Sequence, residues 1–151
     1  MDNTADKKTI SLEQLLPLMQ EAFSKGQEVK IPVTGVSMRP TLSPGDMVTL
    51  LPVKEKDIRR GDILLYRRET GQFVLHRVIS VSSDTLTFCG DGQIALERDV
   101  PKKAVLARVI AGIRAGKECS GGELRSLGRR RMYNRRLRAL ATVIHFRLKK
   151  S

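Results

Sequence analysis

Apolar and polar positions change their period along this chain. Leu12, Leu15, Leu16, Met19 and Phe23 recur at three- and four-residue intervals, the spacing of one helical face. Ser11 precedes the run as a cap for the first backbone N–H groups, and Lys25-Gly26 supplies a stop. Pro17, six residues past the cap, is expected to kink or shorten this helix.

After Gly26 the period falls to two. Val29, Ile31 and Val33 alternate with polar or neutral neighbours, and short apolar runs follow at Met47–Val53, Ile63–Tyr66, Phe73–Val81, Thr85–Phe88 and Val105–Ile113. Between them stand Pro44-Gly45-Asp46, Gly61-Asp62, Glu69-Thr70-Gly71, Ser82-Ser83-Asp84 and Gly90-Asp91-Gly92, all residues that favour turns. Short strands separated by tight turns, with no helix between them, predict a mainly β (α+β) fold built on a partly closed antiparallel structure.

The C-terminal part differs. Gly116 to Gly128 is rich in glycine and reads as a linker, with room for a helical turn in Glu118–Leu127. Beyond it Tyr133, Leu137, Leu140, Ala141, Ile144 and Leu148 share one helical face, while Arg135, Arg136, Arg138, Arg147 and Lys149 lie largely off it. The expected organisation is a helical segment over 1–27, a β domain over 28–115, a linker over 116–128 and a basic amphipathic helix over 129–151.

Charge follows the same division. The net charge is +12, but Leu124 to Ser151 holds ten Lys or Arg and no acid, which leaves about +2 for the rest. Basicity therefore belongs to the tail, which suits an anionic membrane surface, at about 1 kcal/mol per basic residue near the lipid. Tyr133, Phe146 and the aliphatic stripe favour lipid, because they offer an apolar face to insert. Nucleic acid is the weaker option: no helix-turn-helix reader is recognisable, and with aromatics at 4% and no Trp there is little to stack on bases. Cys89 and Cys119 are too far apart for metal-ligand spacing and are expected to be unpaired thiols. The N-terminus lacks the apolar run of a secretory signal and no window suits a membrane-spanning helix, so a cytoplasmic protein, peripheral to a membrane surface, is expected.

One segment carries candidate chemistry. A serine hydroxyl is a weak nucleophile and needs a base within hydrogen-bond reach, a sharp turn that exposes it, and backbone N–H groups aimed at the developing oxyanion. Thr34-Gly35-Val36-Ser37-Met38-Arg39-Pro40-Thr41-Leu42 follows a strand, and Gly35 permits such a turn. Met38 reads as packing beneath the turn or lining a substrate groove. His76 stands in an apolar strand between Leu75 and Arg77-Val78, where a lone histidine would by default be a core residue.

Taken in order, Thr34–Leu42, Pro44-Gly45-Asp46, Arg60-Gly61-Asp62-Ile63, Leu75-His76-Arg77-Val78 and Gly90-Asp91 resemble the motifs of the signal peptidase I family, over about residues 28–112. Most bacterial members and the LexA-type repressors use a lysine base, whereas the archaeal and endoplasmic reticulum type uses a histidine in a His-Arg-Val context. The resemblance implies a serine endopeptidase, with no metal or cofactor, that cleaves an extended peptide or precursor protein. Ser37 would be the nucleophile and His76 the general base, with neutral imidazole available at pH 7 without special burial. An acidic partner for His76 is implied after Gly90-Asp91; the spacing does not align uniquely, and the candidates rank Asp99, then Glu97, then Asp91. Relatives place a hydroxyl two residues before the nucleophile where this chain has Gly35, so the oxyanion would rest on backbone N–H groups of the Gly35-Val36-Ser37-Met38 turn, chiefly that of Ser37, with Thr34 contributing if the turn brings it round. The alternative reading is a non-catalytic or autoregulatory LexA-like module that binds DNA or a protein partner.

Overall fold

The computed structural model describes residues 11–129, and the fold is mainly antiparallel β sheet with a helix at each end. The basic helix expected over 129–151 lies outside the described residues from position 130 onward. Helix α1 spans Leu12–Ser24, capped by a reciprocal pair of hydrogen bonds between Ser11 and Gln14. Pro17 lies within it and does not end it, although a proline there withholds the backbone N–H that would reach the Glu13 carbonyl.

The strands are β1 Val29–Pro32, β2 Met47–Leu51, β3 Ile63–Arg67, β4 Phe73–Val81, β5 Thr85–Cys89, β6 Glu97–Pro101, β7 Val105–Arg114 and β8 Lys117–Ser120. They form one eight-stranded sheet in the order β1-β2-β7-β3-β4-β5-β6, with β8 added to β7, and every pairing is antiparallel. The path is open, with β1 and β6 at its ends.

The central strand β3 explains the near-continuous apolar run Ile63–Tyr66, since both its faces are buried. Ile63 and Leu65 join a core with Met19, Ile31, Val48 and Val109, whereas Leu64 and Tyr66 join a second core with Val78, Leu86, Phe88 and Val100. Alternation along one strand thus feeds two apolar layers.

The segment 116–128 is not a linker. Lys117–Ser120 pairs with β7, and residues 121–129 form a helix, α2, whose start is fixed by Ser120 and Glu123: Glu123 N–H donates to Ser120 Oγ at 3.2 Å and Ser120 N–H to Glu123 Oε2 at 2.6 Å. Leu124 on this helix is 1% exposed and belongs to the first core. Cys89 and Cys119 are thiols rather than a disulfide. No helix among the described residues is long and apolar enough to cross a membrane.

Candidate active site

Ser37 sits on a turn held from three sides. From beneath, Met38 and Leu42 are buried in the first core, and the Leu42 N–H donates to the Met38 carbonyl at 3.0 Å. At its far end, Arg114 of β7 donates to the carbonyls of Thr41 at 2.5 Å and Pro40 at 3.3 Å. From behind, the Gly92 N–H donates to the Ser37 carbonyl at 2.9 Å.

Gly90-Asp91-Gly92 forms the expected turn, closed by the Gln93 N–H donating to the Gly90 carbonyl at 2.9 Å, and its two glycines also serve close approach. A Cβ at Gly90 would lie 2.5 Å from the Ser37 carbonyl oxygen and 3.1 Å from His76 Nε2, and one at Gly92 would lie 2.9 Å from the Arg39 carbonyl oxygen. Gly35 differs: a Cβ there meets nothing within 4 Å, so its requirement is its φ of +74° and not space.

Asp91 holds this assembly together. Its carboxylate accepts from Arg77 at 2.8 and 2.7 Å and from Thr41 Oγ1 at 2.5 Å, while Arg77 also donates to the Gly61 carbonyl at 2.8 Å. Both charged side chains are almost fully buried, at 0% and 3% exposure. With its oxygens so engaged, Asp91 braces the Ser37 turn and makes no hydrogen bond to His76.

The structure brings Ser37 and His76 together. Strand β4 carries His76 on the face of the second core, opposite Leu64 of β3, and its Nε2 lies 3.1 Å from Ser37 Oγ. His76 is 4% exposed, contrary to the expectation that it needs no burial. Burial first, and the nearby Arg68 charge second, push its pKa down to about 4 against the opposing pull of Glu97 and Asp91. The imidazole is therefore neutral over the whole physiological range.

The other ring nitrogen, Nδ1, faces the hydroxyl of Tyr66 at 3.4 Å. Tyr66 is completely buried, stacked on Phe88 with ring centroids 4.0 Å apart, and its hydroxyl donates to Glu97 Oε2. Arg68 grips the same carboxylate, with Nε at 2.8 Å from Oε1 and a terminal nitrogen at 3.0 Å from Oε2. Burial opposes ionisation of Glu97, yet the hydrogen bonds from Arg68 and Tyr66 and the Arg68 charge outweigh it and hold its carboxyl below the usual range. Burial and the adjacent Glu97 push the Tyr66 phenol well above its ordinary value, so it keeps its proton.

The ranking of acids is thereby corrected. Asp99, placed first, is exposed and makes no hydrogen bond to His76 among the described residues. The cause is a bulge in β6: Phe88 pairs with Glu97 and Leu86 with Val100, so three residues of β6 span two of β5 and Asp99 turns outward at a φ of +56°. Glu97, placed second, is the acid linked to His76, through Tyr66.

A groove of about 450 Å³ opens beside Ser37 and His76. Leu12, Ile31, Val33, Leu65, Phe73 and Leu75 give it apolar walls, and the turn Thr34–Met38 forms one side. Val36, next to Ser37, is 57% exposed. Thr34 is exposed on the groove wall, and no hydrogen bond links it to Ser37 among the described residues. No protein-family model matches this chain, and no curated protein is significantly similar to it in sequence.

Proposed function

We propose that this protein is a serine endopeptidase that acts on an extended peptide or precursor segment through Ser37 and His76. The observation that carries the reading is the 3.1 Å approach of His76 Nε2 to Ser37 Oγ at the edge of a groove. In the reaction Oγ attacks the scissile carbonyl carbon as Nε2 takes the hydroxyl proton. The tetrahedral oxyanion is received by the Ser37 N–H, which makes no hydrogen bond among the described residues. Collapse returns the proton from Nε2 to the departing amine, and water, activated by the same nitrogen, releases the acyl group.

The groove suits a strand-like substrate. β4 pairs with β5 only from Arg77 onward, so the edge of Phe73–His76 remote from β3 has no strand partner among the described residues. β1 has β2 on one side only. Both edges line the groove, and a peptide lying there gains backbone hydrogen bonds while its alternate side chains enter apolar pockets. The ordered motifs that resemble signal peptidase I support the same reading. The basic segment beyond residue 129 is taken as a tether to an anionic membrane surface on the cytoplasmic side.

The test is covalent labelling of Ser37 by a panel of acylating, phosphonylating, lipopeptide and β-lactam-like probes. Labelling of the wild-type chain that disappears in both Ser37→Ala and His76→Ala supports the proposal. A folded wild-type protein that no probe labels would shift the reading to a non-catalytic binding module.

A further inference from the structure

Between His76 and the charge of Glu97 stands a neutral phenol, which is an unusual place for one. A hydroxyl has a single proton to give. Glu97 is held as a carboxylate by Arg68 and accepts only, so the Tyr66 proton points at Glu97. What the Tyr66 oxygen then turns toward His76 is a lone pair. Of the two neutral imidazole tautomers, one carries its proton on Nδ1 and donates it to that lone pair, leaving Nε2 bare in front of Ser37 Oγ. The other sets two lone pairs against each other at Nδ1 and aims an N–H at Ser37, which cannot then give up its proton to that nitrogen.

We propose that Tyr66, oriented by the Glu97–Arg68 pair, is the positioning residue that fixes His76 in the Nδ1–H tautomer and so makes Nε2 the base. This rests on the Ser37–His76 reading for its catalytic meaning but not for its geometry. The orientation is enforced by packing as well as by hydrogen bonds: Tyr66 stacks on Phe88 at an interplanar angle of 16° and meets the His76 ring edge-on at 62°. Register places the pair in reach, because His76 pairs with Leu64 and Tyr66 lies two residues further along the same face of β3. When Nε2 takes the Ser37 proton, Nδ1–H becomes part of an imidazolium, and its donation to the Tyr66 oxygen strengthens while Tyr66 remains a donor to Glu97. The 3.4 Å separation of the resting site belongs to the uncharged ring.

Nitrogen-15 NMR of the full chain labelled at histidine reads the tautomer directly, with a His145→Gln sample to assign His76. The expected result is a pyrrole-type Nδ1 and a pyridine-type Nε2 in the wild type. Tyr66→Phe keeps the ring and the Glu97–Arg68 pair; it should transfer a substantial population to the Nε2–H form and slow acylation of Ser37 by roughly 10- to 100-fold, part of what a positioned general base contributes. Probe affinity should be unchanged in this variant. Glu97→Gln, which offers Tyr66 a donor as well as an acceptor, should shift the population in the same direction by less. A wild-type His76 that carries its proton on Nε2 overturns the proposal without any variant, as does a Tyr66→Phe protein with unchanged tautomer. A correct tautomer in a protein that no probe labels leaves the role of Tyr66 standing and removes the peptidase reading; labelling with the wrong tautomer does the reverse.

Discussion

Gly128 of α2 and Arg77 of β4 touch so closely that a Cβ at 128 would fall inside the van der Waals envelope of the guanidinium. The helix is thus a lid on the buried Arg77–Asp91 pair, which in turn braces the Ser37 turn through Thr41. Gly128→Ala should cost about 1–3 kcal/mol of stability, the usual range for overpacking a tight contact. Urea unfolding followed by circular dichroism measures it, and a neutral outcome would mean that α2 shifts away freely.

Removing one partner of that pair should be worse. Asp91→Asn leaves the Arg77 charge buried without its counterion and is expected to destabilise by about 3–5 kcal/mol. Denaturant midpoints of this variant and of wild type decide the matter. In whatever fraction stays folded, the His76 tautomer should be that of wild type, because Asp91 does not reach the ring nitrogens.

The close glycines predict a kinetic phenotype. In Gly90→Ala the new methyl group meets the Ser37 carbonyl, a backbone atom that can yield only if the Ser37 turn moves. A displacement on the order of 1 Å costs about 100-fold in rate. Acylation rates of the folded variant, compared with the loss in thermal stability, separate displacement of Ser37 from general unfolding.

His76 makes the pH dependence specific. The groups facing it are Arg68, which lowers its pKa, and Glu97 and Asp91, which raise it, with burial dominant and a net value of about 4. Acylation should therefore hold its rate down to about pH 4 instead of falling near the ordinary imidazole value of 6.5. Stability runs the other way: the unfolded chain takes up the histidine proton first as pH falls below about 6.5, so the contribution of neutral His76 is full above that pH and declines toward 4. NMR titration of His76 and pH-dependent unfolding check the two limbs separately. A midpoint near 6.5 in the folded protein contradicts both.

Much of the sheet was legible because β2, β3, β4, β5 and β7 carry apolar side chains that must be buried, and burial leaves a pattern. β6 and β8 were missed since Glu97–Pro101 and Lys117–Ser120 are short, polar edge strands held by backbone pairing, which leaves none. The glycines around 121–128 suggested a linker, although Ser120 and Glu123 stand at capping-box spacing and marked the start of α2. Ser37 and His76 were visible through their local motifs. Tyr66 was not, because inside an apolar strand it reads as core; the signal lay in the β3–β4 hairpin, whose turn at Glu69–Gly71 sets a register that puts Tyr66 diagonal to His76. The order of the acids depended on the β6 bulge, which no spacing in the sequence announces.

β4 changes neighbours beside His76: up to that residue one of its edges faces the groove, and from Arg77 that edge belongs to β5. A peptide laid along the open half would be measured against the same backbone that carries His76. Cleavage position then becomes a matter of counting. A slip of one residue turns every side chain of such a peptide to the opposite face, so the proposed cleavage would select its bond in discrete steps set by the pleat of β4.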